Sequence, residues 1–310
     1  MPEHVEVTTI ERTITCRSCG SSDAFKYGKR RGVQYYICNN CKKKFAGTDG
    51  YPRMKYPREF AIKAITYYYN GMSYKNINHT FSDLKGISVA KSTIWRWVLK
   101  YSKMANQYVL TFHPRLSDVW IADETVVDVW GEHYWLWDII DTETRFLIAS
   151  HLSRDRTMRD ALKLFYMAKL RSATRPKAII TDKLGQYNKA FNKVFYSNIP
   201  ERRAYHLQSE GFASPTNINL IERFHGTIKQ RTKIMRDLKE KYSARIVLDG
   251  YITHYNFFLE HEYLKGRTPA TAGGIDEGIR NWGDLIDMAL MKPRKNPEVR
   301  LEWEETFGIA

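Results

Sequence analysis

From residue 119 onward, short runs rich in branched and aromatic side chains alternate with longer segments of helical periodicity. The short runs are predicted to be strands and the longer segments amphipathic helices. Strands are predicted at residues 119–127, 134–141, 145–150, 177–182 and 204–207, and helices at residues 157–170, 185–195 and 217–238.

This succession, three strands followed by helices that alternate with single strands, is typical of the ribonuclease-H-like fold. We therefore predict an α/β (α+β) chain whose ribonuclease-H-like core occupies residues 115–242. Residues 243–310 follow the core, and their composition indicates a helical C-terminal extension.

Three shorter helices are predicted ahead of the core, over residues 55–108. The first covers residues 58–69, the second begins after Ser73, which can act as its N-cap, and the third begins near Ser92. This arrangement resembles a helix-turn-helix unit, whose last helix enters the major groove of DNA. A generic three-helix packing unit remains the alternative. The polar face of the third helix carries Thr93, Arg96, Lys100 and Lys103.

The four cysteines form two C-x2-C pairs, which are separated by 18 residues within the first 50 residues of the chain. This spacing is typical of a zinc ribbon, in which four thiolates surround one structural Zn²⁺ and a hairpin joins the two pairs. Two disulfides or a redox dithiol are the alternatives. The predicted zinc ligands are Cys16, Cys19, Cys38 and Cys41.

The net charge of the chain is +15, and it is concentrated near the N-terminus. Residues 1–110 contain 19 Lys or Arg against 7 Asp or Glu, which favours a polyanionic partner such as DNA. A basic, solvated surface is the alternative. Neither a membrane-spanning run nor an apolar signal segment is apparent, so we expect a cytoplasmic, nucleoid-associated protein with no membrane partner.

Three acidic residues fall where the predicted core would gather them. Asp123 lies within the first strand, Asp182 ends the fourth, and Glu222 lies near the start of the long helix. Carboxylates without nearby cysteines suit hard cations such as Mg²⁺ or Mn²⁺, and two such ions can promote phosphodiester chemistry. Asp128 and Asp138 are the acids most easily confused with this trio.

Two other residues lie beside the acidic trio. Glu124 is expected on the opposite side of its strand from Asp123, in a structural or exposed position. His225, one turn after Glu222, is either an assistant near the leaving group or a passive surface residue. One face of the long helix carries Glu222 and, after it, Lys229, Lys233 and Arg236. This pattern is typical of a row of cations that follows a phosphate backbone, or of an ordinary surface helix.

Four stretches of the chain resemble the DDE transposases of prokaryotic insertion sequences, which have an integrase-type catalytic core. The resemblance implies that Asp123, Asp182 and Glu222 are catalytic and bind two divalent ions, Mg²⁺ or Mn²⁺. It also implies nicking at the element ends and joining of the freed 3′-hydroxyl to target DNA. The stretches are residues 120–125 (WIADET), 180–187 (ITDKLGQY), 219–225 (NLIERFH) and 261–270 (HEYLKGRTPA).

The sequence therefore predicts a DNA transposase that binds terminal inverted repeats and carries out metal-dependent cleavage and strand transfer on double-stranded DNA. Because two element ends must be brought together, we expect a homodimer or a larger assembly. A catalytically retired DNA-binding regulator and a structure-selective nuclease with the same core are the alternatives.

Overall fold

The structure is a computed structural model, and it describes residues 14, 16, 18–30, 33–47, 54, 56–210, 216–235 and 240–291. The chain divides into two compact units. The smaller unit comprises residues 1–60 and 287–294, and the larger comprises residues 61–286 and 295–310. Each unit is considered by itself below.

The smaller unit contains a three-stranded antiparallel sheet. Its strands are β1 (Ala24–Arg30), β2 (Val33–Cys38) and β3 (Lys44–Ala46), in the order β1-β2-β3. The hairpin expected between the two cysteine pairs is present, with β2 as the returning strand. β2 and β3 carry the apolar pair Tyr36 and Phe45, whose ring centroids are 5.9 Å apart.

Three helices precede the large sheet: α1 (Arg58–Tyr69), α2 (Tyr74–Lys85) and α3 (Lys91–Val109). Ser73 caps α2 by accepting a hydrogen bond from the Asn76 backbone, and Gly86 ends it in the left-handed conformation, as expected from the sequence. Within the larger unit, Tyr68 of α1 stacks on Tyr74 of α2, with ring centroids 4.8 Å apart.

The large sheet has five strands in the described part of the chain, and its order is that of the ribonuclease-H-like fold. The first three strands are antiparallel, whereas the fourth and fifth run parallel to the first. The predicted α/β fold class is confirmed. The strands are β4 (Val119–Val129), β5 (Glu132–Asp141), β6 (Leu147–Ser153), β7 (Ala178–Thr181) and β8 (Tyr205–Gln208), in the order β6-β5-β4-β7-β8.

Three strand ends differ from the prediction because of turn chemistry. β4 and β5 extend to a two-residue turn at Trp130-Gly131, where both residues have positive φ and Asp128 accepts a hydrogen bond from the Gly131 backbone. β6 starts at residue 147 instead of 145, because Arg145 adopts a φ of 60° in the turn that precedes it.

The remaining helices are α4 (Met158–Arg171), α5 (Gly185–Phe195), α6 (Asn219–Met235), α7 (Lys241–Phe258), α8 (Pro269–Ala272) and α9 (Trp282–Met291). α7 joins the sheet to α3. Its Asn256 side chain accepts a hydrogen bond from the Leu147 backbone N–H and donates one to the Leu147 carbonyl, and its Thr253 hydroxyl donates to Asn106 of α3. Among the described residues, no helix combines the length and apolar character needed to cross a membrane.

The packing of α7 places His254 in an apolar environment. The His254 ring lies parallel to Trp282, and the indole Nε1 donates to the imidazole Nδ1 at 3.4 Å. Burial, assisted by the positive charge of Arg231, lowers the pKa of His254 to about 4. The imidazole is therefore neutral in the folded protein at pH values where the unfolded chain binds a proton.

This arrangement predicts that His254 makes unfolding pH-dependent between about pH 6.5 and pH 4. Because the folded pKa is depressed, its contribution to stability is fully present above pH 6.5 and is lost as the pH falls. We expect His254→Gln to reduce proton uptake on unfolding at pH 5.5 by about one proton, measured from urea unfolding across pH. His113→Gln, at an exposed histidine, is the control. If the free energy of unfolding of His254→Gln changed with pH as steeply as that of the wild type, His254 would not be the source of the pH dependence.

Candidate functional site

Two of the three predicted catalytic acids meet where neighbouring parallel strands place them. Asp123 lies within β4, and Asp182 directly follows β7. Because Ile121 of β4 pairs with Ile180 of β7, the two acids stand at the same level of the sheet. Carboxylate oxygens of Asp123, Glu124 and Asp182 all lie within 4.8 Å of one another.

The electrostatics of this cluster fit a hard cation. Burial raises the pKa of Asp182, and the negative charge of Asp123 adds to that effect, while the Leu184 backbone N–H and Arg156 oppose it. Burial is thus the main cause of the raised pKa of Asp182, and the charge of Asp123 is a smaller contribution. The atoms that Asp123 and Asp182 could offer to a metal are carboxylate oxygens, which Mg²⁺ and Mn²⁺ prefer as ligands.

Glu124 is close to the two aspartates, but its oxygens are already in use. One oxygen accepts hydrogen bonds from Arg156 Nε, at 2.7 Å, and from Arg156 Nη2. The other accepts a hydrogen bond of 2.6 Å from the Tyr187 hydroxyl. The side chain is only 1% exposed. Glu124 is therefore a structural residue on the other side of its strand, which agrees with its expected place, and it is not a good third metal ligand.

Glu222 lies in the first turn of α6 and is exposed. Among the residues that the structure describes, it does not join the acidic cluster, because its carboxylate is not within 4.8 Å of both aspartates. The same helix buries Ile221, Phe224 and Ile228, as its apolar periodicity predicts. These contacts hold the first turn of α6 over β4 while leaving the Glu222 side chain in solvent.

His225 connects α6 to the sheet. Its Nδ1 lies 3.5 Å from Asp123 Oδ2, and its Nε2 lies 3.1 Å from Asp138 Oδ2. Burial lowers the pKa of His225, but hydrogen bonds and charge from Asp123 and Asp138 outweigh it and raise the pKa to about 9. His225 is thus a buried cation that contacts an acid of the cluster, and not a passive surface residue.

Asp138 and Arg156 are the site residues that sequence reasoning did not assign. For Asp138 a signal existed, because a two-residue turn at Trp130-Gly131 places it directly opposite Asp123 in the β4–β5 ladder. For Arg156 no comparable signal existed, because the residue lies in the loop between β6 and α4.

The four cysteines form a second candidate metal centre. All four sulfurs lie within 4.8 Å of one another, and two of the pairs, Cys16 with Cys41 and Cys19 with Cys38, are 3.5 Å apart. A tetrahedral Zn²⁺ with Zn–S bonds of about 2.3 Å requires sulfurs roughly 3.8 Å apart, whereas a disulfide requires about 2.05 Å. The cysteines are unbonded to one another, so the group fits zinc and not disulfides.

The two cysteine turns have the same backbone hydrogen bonds. The Gly20 N–H donates to the Cys16 carbonyl, and the Lys42 N–H donates to the Cys38 carbonyl, each four residues along. Both Gly20 and Lys42 adopt positive φ, of 74° and 58°. Backbone N–H groups of Cys41 and Asn40 point at the Cys38 sulfur and lower the pKa of its thiol. Against the Ser21 backbone hydrogen bond, burial and the other three sulfurs raise the pKa of Cys19 to about 11.

The predicted DNA-binding side chains lie on the surface where the structure describes them. On α3, Thr93 is partly exposed, and Arg96, Lys100 and Lys103 are exposed, opposite a buried stripe that includes Ile94. Lys103 also donates a hydrogen bond to the Tyr242 hydroxyl of α7. Their role stays a prediction. On α6, Lys229 and Lys233 are exposed, and Arg236 lies outside the described residues.

Comparison with known proteins identifies the segment that contains this site. A family model described as a DDE domain matches residues 117–261. Residues 117–261 are a DDE domain of the insertion-sequence transposase type. The family resemblance inferred from the sequence is confirmed, and the domain includes Asp123, Asp182 and Glu222.

Individual relatives of this DDE domain include transposases of Staphylococcus aureus. The transposase for insertion sequence-like element IS431mec and that for insertion sequence element IS257 in transposon Tn4003 are each 26% identical over 179 residues, covering 57% of this chain and 75% of the relative. Among solved structures, the HTLV-2 integrase catalytic core domain in complex with magnesium is 15% identical, with a TM-score of 0.38, covering 52% of this chain and 99% of that one. A simian T-cell lymphotropic virus intasome is 16% identical, with a TM-score of 0.37, covering 60% of this chain and 59% of that one.

The buried contact between Asp138 and His225 predicts an asymmetric effect on stability. Replacing His225 with Leu leaves the Asp138 carboxylate buried without its cationic partner, so we expect the free energy of unfolding to fall by about 3–5 kcal/mol. The double variant His225→Leu with Asp138→Leu removes both charges and should recover part of that loss.

Urea unfolding of the two single variants and the double variant measures this coupling. Additive losses in the double variant would show that the two side chains do not stabilise one another.

Proposed function

We propose that this protein is a DNA transposase that binds the terminal inverted repeats of an insertion sequence and catalyses metal-dependent cleavage and strand transfer. The observation that carries the proposal is the convergence of Asp123 and Asp182 within a DDE domain, with carboxylate oxygens no more than 4.8 Å apart. Two separate strands bring together acids that are 59 positions apart in the chain.

Asp123, Asp182 and Glu222 are the residues that would hold two divalent ions, Mg²⁺ or Mn²⁺. Such ions supply activation of an attacking oxygen and stabilisation of a leaving oxygen. Glu222 contributes from the exposed first turn of α6, one turn before His225, which lies 3.5 Å from Asp123. His225 contacts the Oδ2 atom of Asp123 and so limits rotation of that carboxylate, as residues behind metal ligands commonly do.

The reaction needs no covalent bond between protein and DNA. In cleavage, a water oxygen bonds to the scissile phosphorus, the P–O3′ bond breaks, and the leaving 3′-oxygen takes up a proton to form a 3′-hydroxyl. In strand transfer, that 3′-hydroxyl loses its proton, its oxygen bonds to a phosphorus of target DNA, one target P–O3′ bond breaks, and the leaving 3′-oxygen takes up a proton. The role of the protein is to align the nucleophile, phosphorus and leaving oxygen and to stabilise charge.

The cationic surfaces support DNA as the substrate. The exposed Arg96 and Lys100 of α3 suit groove or phosphate contact, and Lys229 and Lys233 extend from Glu222 along α6. The zinc ribbon, with Zn²⁺ held by its four cysteines, adds a further basic module, because β1 carries exposed Lys29. Two element ends must be joined in one complex, so the proposal includes a homodimer or larger assembly that acts on DNA in the cytoplasm.

One observation favours a second candidate function. Because Glu222 stands apart from the two aspartates, a retired regulator that binds DNA without cutting it is the alternative. A gel shift with DNA from the ends of the element, followed by addition of Mg²⁺, separates the two functions. Nicking after Mg²⁺ addition supports the transposase, and stable binding with no nicking supports the regulator.

The transposase proposal predicts the behaviour of conservative substitutions in the trio. Asp123→Asn, Asp182→Asn and Glu222→Gln should each lower the rate of cleavage of an element-end duplex at least 1,000-fold, while the affinity for that duplex changes by less than about threefold. The reason is that each substitution removes a ligand charge without changing the DNA-binding surface. Asp128→Asn is the matched control, because Asp128 is exposed on β4 and serves only the adjacent turn. Full cleavage by any one of the three variants would remove that residue from the site.

The α6 ridge predicts a change in the salt dependence of DNA binding. If Lys229 contacts a phosphate, Lys229→Ala should reduce the slope of log K against log salt concentration by about 0.9 for duplex DNA. Lys189→Ala, at an exposed lysine of α5, should leave the slope unchanged. The slopes are measured by fluorescence anisotropy from 50 to 200 mM salt. Equal slopes for the wild-type protein and Lys229→Ala would show that Lys229 does not contact a DNA phosphate.

A further inference from the structure

The loop between β6 and α4 places an arginine beside the acidic cluster. Arg156 donates from Nε and Nη2 to one oxygen of Glu124, and the other oxygen of Glu124 is held by the Tyr187 hydroxyl at 2.6 Å. Glu124 is therefore a buried anchor whose two oxygens both accept hydrogen bonds from these neighbours. An anchor of this kind fixes the position of the guanidinium.

An aromatic contact fixes the orientation of the same group. The guanidinium carbon of Arg156 lies 4.7 Å from the ring centroid of Trp135, which is a cation–π arrangement. The Arg156 side chain nevertheless remains 36% exposed. Most exposed arginines sample many rotamers, whereas Arg156 has lost this freedom before any substrate binds. It is a preorganised cation that is open to solvent on one side.

The guanidinium of Arg156 also lies beside one of the catalytic acids. Its Nη2 lies 3.8 Å from Asp182 Oδ2, which is a charge contact and too long for a hydrogen bond. In the described part of the chain, Nη1 donates to no acceptor. Arg156 therefore has unused donors on a guanidinium that lies beside Asp182.

We propose that Arg156 is a catalytic residue, which donates hydrogen bonds to a non-bridging oxygen of the scissile phosphodiester, and that Glu124 is its positioning residue. The inference rests on the proposed function. Charge on the non-bridging oxygens must be stabilised while the P–O3′ bond breaks, and a planar guanidinium offers several donors in fixed directions. Because the anchor is already in place, little reorganisation is needed when the substrate binds.

A purely structural role makes different predictions. If Arg156 only compensates the buried charge of Glu124, its loss should lower the free energy of unfolding. The cleavage rate should then fall only in proportion to the loss of folded protein. If it only assembles the metal site, its loss should weaken metal binding. A cation at 3.8 Å from Asp182 instead repels a divalent ion, so Mn²⁺ affinity should be unchanged or higher without it.

The test uses the full chain in four forms: wild type, Arg156→Ala, Arg156→Lys and Arg154→Ala. Arg154 is the matched control, because it lies two residues away, is 66% exposed and pairs only with the exposed Glu132. Each form is assayed for single-turnover cleavage of a duplex that carries the terminal sequence found beside the gene, for affinity to that duplex without metal, and for Mn²⁺ binding by calorimetry. Thermal unfolding is measured in parallel.

We expect Arg156→Ala to slow cleavage about 100- to 1,000-fold, the usual effect of removing one donor to a transition state. Duplex affinity should change by less than threefold, and Mn²⁺ affinity should not fall. Arg156→Lys retains the charge that pairs with Glu124, so it should fold normally, and we expect it to be at least tenfold slower because one ammonium cannot keep both contacts. Arg154→Ala should match the wild type.

Three outcomes would overturn the inference. The first is cleavage by Arg156→Lys at the wild-type rate, including the case in which Arg156→Ala does not fold. The second is cleavage by Arg156→Ala within threefold of the wild type. The third is a fall in Mn²⁺ affinity that parallels the loss of rate. If the wild-type chain binds the duplex and Mn²⁺ but never cleaves, the proposed function itself fails, which is a different result from failure of Arg156 alone.

Discussion

The close approach of Asp123 and Asp182 is the constraint on which the rest of the site depends. Two carboxylates whose oxygens are within 4.8 Å repel each other, and burial together with this repulsion raises the pKa of Asp182. Side-chain flexibility alone would separate them. The parallel pairing of β4 with β7 prevents the separation, because hydrogen bonds between the strands fix where each acid emerges. The sheet thus holds two negative charges close together, and a divalent cation between them would reduce their repulsion.

The protein places one fixed cation on each side of β4 next to this excess charge. His225 contacts Asp123 on the side of α6, and Arg156 contacts Glu124 on the side of α5. The alternation of side chains along a strand explains the division, since residues 123 and 124 must point to opposite faces. His225 is buried between two carboxylates and is committed to them. The Arg156 side chain is 36% exposed and, among the described residues, its Nη1 donates to no acceptor, so Arg156 is the more accessible of these two cations.

The sequence was sufficient for the architecture because hydrophobic periodicity and local caps agree with the fold. The helix at residues 185–195 has the predicted bounds, and Ser73 and Gly86 limit α2 as their chemistry requires. The acids at 123 and 182 could be placed together because the ends of adjacent parallel strands share one edge. Arg156 could not be found this way. Its role depends on the path of a loop that brings it back to a strand 32 residues earlier, and no periodicity encodes that path.

Glu222 lies apart from the two aspartates even though the helix that carries it is packed against the sheet. Its neighbours Ile221 and Phe224 are buried, at 0% and 3% exposure, so the first turn of α6 is fixed against the sheet. A shift of the whole helix would expose those side chains, at about 1.5–3 kcal/mol for each large apolar group. Rotation of the Glu222 side chain costs less, on the order of 1.5–2 kcal/mol of side-chain entropy once it is held. Moving the Glu222 carboxylate by rotation of its side chain would therefore cost less free energy than moving the whole helix.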